Sequence, residues 1–254
     1  MLLAIDVGNT QTVIGLFAAE DLMGHWRIST DASLTGDELR VKVSGLLALD
    51  GHSWSEVADV ILSSVVPRLT SAWEEVARIA CDCEVMVIGP GLKTGMPIRY
   101  DNPHEVGADR IVNGVAAFAR LGGPVIVVDF GTATTIDVID ASGAYLGGAI
   151  AAGVETSAEA LFSRAARLSK VDLEAPSAVI GTNTRMSVQA GLLLGAAAMV
   201  DGLVRRTWGE LGAETPVIAT GGLAERMGKL CDTITDVDPD LTLEGLWLVF
   251  ERNR

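Results

Sequence analysis

Cysteine is scarce in this chain, aromatic side chains make up only 5 % of it, and Lys and Arg together number 19 against 33 Asp and Glu. Each shortage excludes something. The three cysteines, Cys81, Cys83 and Cys231, form neither an even disulfide framework nor a C-x-x-C metal pattern, so a reduced compartment is expected and no disulfide. A formal charge of -14 without clustered Lys or Arg argues against a nucleic-acid partner. Any phosphate must then be held locally, by backbone N–H groups, hydroxyls, a few cations or a bound metal. The tryptophans, Trp26, Trp54, Trp73, Trp208 and Trp247, are scattered, which suits packing rather than a base-stacking platform. His25 and His52 have no metal-ligand companions at suitable spacing, and His104 beside Pro103 reads as a solvated turn residue. No apolar run approaches the roughly 20 residues that span a bilayer. The opening MLLAIDVGNT has no basic n-region and reaches Asp6 too early for a secretory leader, so a cytoplasmic protein with no membrane partner is the expectation.

What the chain does have is abundant Gly, Ala and Val in alternating apolar runs. Leu2 to Asp6 and Thr12 to Phe17 flank Gly8 and Asn9 and read as a β-hairpin, with a third strand near His25 to Ser29. Thr35 and Glu38 offer a capping box to a helix over Leu39 to Leu47. Val60 to Val66 reads as a buried strand, Pro67 opens a helix through Ala80, and Val85 to Ile88 is strand-like. The opening pattern then recurs. Val125 to Val128 ends in Asp129-Phe130-Gly131-Thr132-Ala133-Thr134-Thr135, and aligning this with Asp6 to Thr12 matches Asp, Gly and the last Thr at equal spacing. Two copies indicate a duplicated domain, with a boundary near Arg120 to Gly123 and subdomains at 1–120 and 121–254. Further helices are expected over Thr156 to Leu168 and Thr184 to Trp208. The strand Pro216 to Ala219 runs into Thr220-Gly221-Gly222 and a helix, and a last helix ends near Glu251. The pattern predicts an α/β layered fold.

The chemistry concentrates at the turns. An Asp at a strand end, followed by Gly and hydroxyl residues, sets a carboxylate beside exposed amides. Asp6 can hold Mg2+ through water, Gly8 lets a phosphate approach, and Asn9, Thr10 and Thr12 offer hydrogen bonds. A hairpin that uses Gly and Asn only for turn geometry is the plain alternative. In Tyr100-Asp101-Asn102-Pro103-His104-Glu105-Val106-Gly107-Ala108-Asp109-Arg110, turn formers lead into a helix start. There the Gly107 and Ala108 amides and Arg110 suit a carboxylate-bearing substrate, and Asp109 can accept a proton from an alcohol attacking a γ-phosphate. Helix-start electrostatics would account for Asp109 and Arg110 equally.

The order and separation of D-V-G-N-T, Y-D-N-P-H-E-V-G-A-D-R, D-F-G-T-A-T-T, G-G-A-I, G-T-N-T and T-G-G make the chain resemble type III pantothenate kinases over nearly its whole length. The hairpins and T-G-G are shared with the wider actin-like ATPase and sugar kinase superfamily. The resemblance implies two ribonuclease H-like (actin-like) subdomains, each a mixed sheet flanked by helices, with the active site in the cleft between them. It implies ATP-dependent phosphorylation of pantothenate, the first step of coenzyme A biosynthesis. By the same resemblance, Asp6, Val7, Gly8, Asn9, Thr10, Gln11, Thr12 and Val13 hold ATP phosphates and Thr132 contacts ATP. Tyr100, Gly107, Ala108, Asp109 and Arg110 form the pantothenate site with Asp109 catalytic, and Asp129 ligates a monovalent cation, K+ or NH4+. Thr184 matches a position that reaches pantothenate in a partner subunit, implying a homodimer with the active site near its interface. From its own context Thr184 is as readily an N-cap. Ala152 stands where the family commonly has proline, so altered stability or loop motion is expected there rather than lost activity. An actin-like phosphohydrolase, or a nucleotide-sensing accessory protein without turnover, remain the alternatives.

Overall fold

The computed structural model describes residues 1–165, 168 and 170–254. The chain divides into two compact units, one of residues 1–96, 101–116 and 241–254, the other of residues 97–100 and 117–240.

In the first unit, β1 (Leu2–Val7), β2 (Gln11–Ala18), β3 (Asp21–Ser29), β4 (Asp59–Ser64) and β5 (Val85–Val87) form one sheet in the order β3-β2-β1-β4-β5. β1 pairs antiparallel with β2 and parallel with β4. Period-two alternation along β1 sends Leu3, Ile5 and Val7 to one face, where α1 (Gly36–Leu49) and α2 (Pro67–Ala80) bring Leu39, Val43, Leu69 and Trp73 against them. α1 starts on the expected capping box: Thr35 accepts from the Glu38 N–H, and Glu38 Oε2 accepts from the Thr35 N–H at 2.9 Å. The other face receives the last helix, α8 (Leu241–Asn253). Gly15 makes room for it, since a Cβ there would lie 2.9 Å from Leu243 Cδ1, and Phe17 stacks on Trp247 with centroids 6.4 Å apart. α3 (Ala108–Leu121) packs close to α8 because Gly245 presents no side chain to the Val112 carbonyl.

The second unit repeats this plan. β6 (Val125–Phe130), β7 (Ala133–Ile139), β8 (Tyr145–Ala152), β9 (Val217–Thr220) and β10 (Asp236–Val237) have the order β10-β9-β6-β7-β8, the first sheet's order in mirror listing. Ile126, Val128, Phe130, Ile136 and Val138 form its core face against helical residues Leu193, Ala197, Val200 and Val204. The duplication expected from the two Asp-x-Gly hairpins is therefore present, with one correction to the alignment. Val7 pairs with Thr12 but Phe130 pairs with Thr134, because the first turn has one residue more. Thr12 thus corresponds to Thr134, not to Thr135.

The remaining helices are α4 (Val154–Arg164), α5 (Thr184–Gln189), α6 (Gly195–Leu211) and the short α7 (Ala224–Met227). Of the helix expected over Thr156 to Leu168, Ala166 and Arg167 lie outside the described residues. α5 and α6 are joined through a π-helical turn, Ala190–Leu194, into one helix, Thr184–Leu211. That helix departs from the sequence expectation. Gln, Gly and Asp201 interrupt any strictly apolar run, yet its best window averages a mean hydropathy of 1.5, enough by length and composition to cross a bilayer, and 39 % of that window is buried.

Candidate active site

At the first hairpin β1 delivers Asp6 to its end, and the turn closes with the Gly8 N–H donating to the Gln11 carbonyl at 3.0 Å. A Cβ on Gly8 would lie 2.9 Å from that carbonyl oxygen, so the residue must be glycine for the turn to close. Asn9, Thr10 and Gln11 are exposed and Val13 is half-buried. Two other residues of this expected phosphate loop point elsewhere. Val7 is a core side chain, which leaves only its backbone to meet a ligand, and the buried Thr12 hydroxyl is hydrogen-bonded to Thr30 Oγ1 at 2.8 Å.

The helix start at α3 is built around its glycine. A Cβ on Gly107 would lie 2.4 Å from Asp109 Oδ1, so the absence of a side chain at 107 is what admits the Asp109 carboxylate. The same oxygen accepts the Arg110 N–H at 2.9 Å, which fixes the carboxylate over the first turn. Ala108 and Asp109 are half-buried, and Arg110 is buried. Ahead of them a single 3-10 turn, Pro103–Glu105, is capped by Asn102, whose amide also donates to Glu105 Oε1 at 2.8 Å. His104 is exposed.

In the second unit Asp129 ends β6 and lies over two glycines. Gly221, at φ 92°, would carry a Cβ 2.3 Å from Asp129 Oδ1, and Gly131 one at 3.4 Å. The exposed Thr132 uses its carbonyl to accept the Gly153 N–H at 3.1 Å and the Thr156 hydroxyl at 2.7 Å, which ties the turn to the start of α4. Among the described residues no three His, Cys, Asp or Glu side chains come together to form a metal site. A carboxylate at a strand end can contribute to a cation shared with phosphate oxygens, because Mg2+ is commonly held by one or two carboxylates, waters and phosphate oxygens.

Tyr100 belongs to the second unit and residues 107–110 to the first. Tyr100 lies on β8: Ile98 bridges Tyr145, the Arg99 N–H donates to the Tyr145 carbonyl at 2.8 Å, and the two tyrosine rings are 6.2 Å apart. Arg99 also pairs with Asp140 at 3.1 Å. The Ser142 hydroxyl beside Asp140 holds that carboxyl below its usual range, with the Arg99 guanidinium adding to the effect.

Thr184 is the first residue of α5, but it is not the cap. Asn183 is, its side chain accepting from the Met186 N–H at 3.0 Å, so the N-cap reading of Thr184 is set aside. Thr184 instead lines a cavity of about 810 Å³ with Ser157, Leu161, Thr182 and Ser187 among its other walls.

The sequence reading gave no individual role to four polar residues, although Thr220 stands in its T-G-G motif. Ser63 and Thr220 sit directly beside Asp6 and Asp129 in the parallel ladders, both fully buried, and their hydroxyls have no hydrogen-bond partner among the described residues. Asp137 and Tyr145 are bonded to each other in the interior of the second sheet. Thr220 is marked in the sequence by T-G-G, and Ser63 holds the corresponding place, near the end of the strand parallel to the other Asp-bearing one.

The model of the family described as type III pantothenate kinase matches residues 2–206. A type III pantothenate kinase of Moorella thermoacetica is 51 % identical over 253 residues, with 100 % of both chains covered. One of Syntrophotalea carbinolica is 51 % identical over 254 residues, again with 100 % of both covered. Among solved structures, the inorganic polyphosphate/ATP-glucomannokinase of an Arthrobacter strain superposes with a TM-score of 0.50 at 14 % identity, over 99 % of this chain and 97 % of that one. The architecture is the duplicated actin-like fold of such kinases, and on the full-length identity this chain belongs to the type III pantothenate kinase family.

Proposed function

We propose that the protein transfers the γ-phosphate of ATP to the terminal hydroxyl of pantothenate, giving 4'-phosphopantothenate in the first step of coenzyme A biosynthesis. The observation that carries this reading is identity of about half over the full length of enzymes bearing that name. Asp109 is the proton acceptor: its carboxylate is held over the first turn of α3 by the Arg110 N–H, where it can take the hydroxyl proton as the alcohol attacks. The Gly107 and Ala108 amides, Arg110 and Tyr100 bind pantothenate, the amides and guanidinium serving its carboxylate. Residues Asp6 to Val13 cradle the ATP phosphates through backbone amides and the exposed Asn9, Thr10 and Gln11, and Thr132 adds a contact. Mg2+ supplies charge neutralisation to those phosphates when bound, with Asp6 holding it through water, and Asp129 holds K+ or NH4+.

We also assign a homodimer in which Thr184 reaches the pantothenate of the other copy, in a cytoplasmic enzyme. Support for the dimer comes from the helix Thr184–Leu211, whose exposed positions Gly191, Gly195 and Ala198 are small enough for a second copy to approach closely.

The test is ADP release from ATP and Mg2+, with and without pantothenate, in potassium and in sodium buffer. The expected result is pantothenate-dependent release that is stronger in potassium. Release that ignores pantothenate would make the protein a phosphohydrolase, and ATP binding with no release a nucleotide sensor; either refutes the proposal.

A further inference from the structure

The second sheet carries a carboxylate that the proposed chemistry does not use. Asp137, in the middle of β7, is 0 % exposed, and each of its oxygens is engaged: Thr135 donates to Oδ2 at 2.8 Å and the Tyr145 phenol to Oδ1 at 2.8 Å. Tyr145 is itself 0 % exposed. Its main chain holds residues 97–99 as an added edge, through the Arg99 N–H and through its own N–H to the Pro97 carbonyl at 2.9 Å. Its ring lies tilted at 56° to that of Tyr100, which is 36 % exposed. On the same strand Gly147, at φ 120°, leaves room for Tyr100: a Cβ there would come within 3.2 Å of its ring.

A buried carboxylate is costly even when hydrogen-bonded, and a well-packed apolar pair of the same shape is commonly as stable or more so. The fold itself does not require it. The ladder position opposite Val127 is Asp137, and the equivalent position in the first unit, opposite Ala4, is Gly15, on which α8 packs through Leu243. What Asp137 supplies is a fixed orientation for a tyrosine that an apolar contact alone would leave free to slide.

We propose that Asp137 and Tyr145 are positioning residues for pantothenate: the Asp137–Tyr145 hydrogen bond locks the phenol ring that backs Tyr100, and so sets the Tyr100 side chain in the geometry that binds substrate. This rests on the assignment of Tyr100 to the pantothenate site. Neither residue touches substrate or ATP in this scheme. The effect is therefore confined to one substrate, which a loss of general stability would not be.

The test is steady-state kinetics on Tyr145→Phe, which keeps the ring and removes the donor. The KM for pantothenate is expected to rise about tenfold, with kcat and the KM for ATP held within about twofold. In a Tyr100→Ala background the same change should add nothing, because the two residues act as one unit. Should Tyr145→Phe fold poorly, Tyr145→Phe combined with Asp137→Leu removes the buried carboxylate as well; it is expected to recover stability and to keep the raised KM. A native pantothenate KM in that stable double variant would overturn the inference, as would equal rises in both KM values or additivity with Tyr100→Ala. If Tyr100→Ala itself leaves the pantothenate KM unchanged, the assignment of Tyr100 fails and the inference falls with it. That outcome is distinct from a raised KM in Tyr100→Ala beside a native one in Tyr145→Phe.

Discussion

Gly107→Ala moves the proposed proton acceptor without changing its chemistry. The added Cβ would lie 2.4 Å from Asp109 Oδ1, whereas ordinary contact begins at 3.4 Å, so the carboxylate must retreat by about 1 Å. What gives way is the end of a side chain and not backbone, and Gly107 is not among the glycines at positive φ. The effect on stability should therefore stay within about 1 kcal/mol, a Tm shift of roughly 2–4 °C for a chain of this size. Catalysis is far less forgiving. A misplacement of about 1 Å can cost on the order of 10²-fold, equivalent to about 2.7 kcal/mol of transition-state stabilisation. The assay is pantothenate-dependent ADP release beside a thermal melt, with Asp109→Asn as the comparator, for which loss of a positioned base predicts a fall of about 10²- to 10⁴-fold. A Gly107→Ala enzyme that melts normally and keeps its native kcat would refute the argument that the Asp109 carboxylate must sit where this glycine admits it. Near-native turnover in Asp109→Asn would remove Asp109 from the chemistry altogether.

Gly221→Ala is the opposite kind of change: at φ 92° its Cβ would meet Asp129 Oδ1 at 2.3 Å and the Phe130 carbonyl carbon at 2.8 Å, and backbone cannot swing aside. A loss of about 1–3 kcal/mol in denaturant titration is expected, together with loss of potassium stimulation as Asp129 is displaced. Asp201→Ala strips the acceptor from the Asp232 N–H at 3.0 Å, the Thr233 N–H at 2.9 Å and the Thr233 hydroxyl at 2.7 Å, and should cost about 1–3 kcal/mol in the same titration with kcat unchanged. Burial pushes the Cys231 thiol up to about 12 from 9.0, with Asp201 adding to the shift. Because the folded value is the raised one, its contribution is fully present below pH 9 and is lost as pH climbs toward 12. Melts between pH 8 and 11 should show the alkaline fall in Tm blunted in Cys231→Ala.

The two hairpins were legible because their signals are local: a strand ending in Asp, a glycine that closes the turn, and apolar alternation on both sides. The capping box of Thr35 and Glu38 and the helix opened by Pro67 were legible for the same reason. The one-residue difference between the turns was not, because the pairing of Val7 with Thr12 and Phe130 with Thr134 is decided by hydrogen bonds across the ladder and leaves no mark on spacing. Nor did the sequence show where the last helix packs. Leu241, Leu243, Leu246 and Val249 announce a buried stripe, but its partner is selected by the gaps at Gly15 and Gly245. The site divides likewise. Asp109 and Asp129 stand out as carboxylates at element ends, whereas Asp137 alternates with Ile136 and Val138 like any outward polar residue of a half-exposed strand, and only the structure shows that its face is closed.

Ser63 and Thr220 indicate where the duplicated fold tolerates cost. Each neighbours a strand-end carboxylate in a parallel ladder, so hydroxyl and carboxylate share one face of their sheet. Each hydroxyl is buried and without a hydrogen-bond partner among the described residues. An unsatisfied buried hydroxyl costs about 1–3 kcal/mol, and valine would fill the place of threonine at almost the same volume. One such orphan is a local accident of packing. Two at the same place in two sheets, beside Asp6 and Asp129 and at no other pair of corresponding ladder positions among the described residues, are a feature of the repeated unit. The two sheets otherwise diverge where they can: Gly15 against Asp137, Val13 against Thr135. What both retain is a carboxylate, a glycine turn and a hydroxyl at the strand ends. Local rules of stability are broken there, and that is where a binding site is expected to break them.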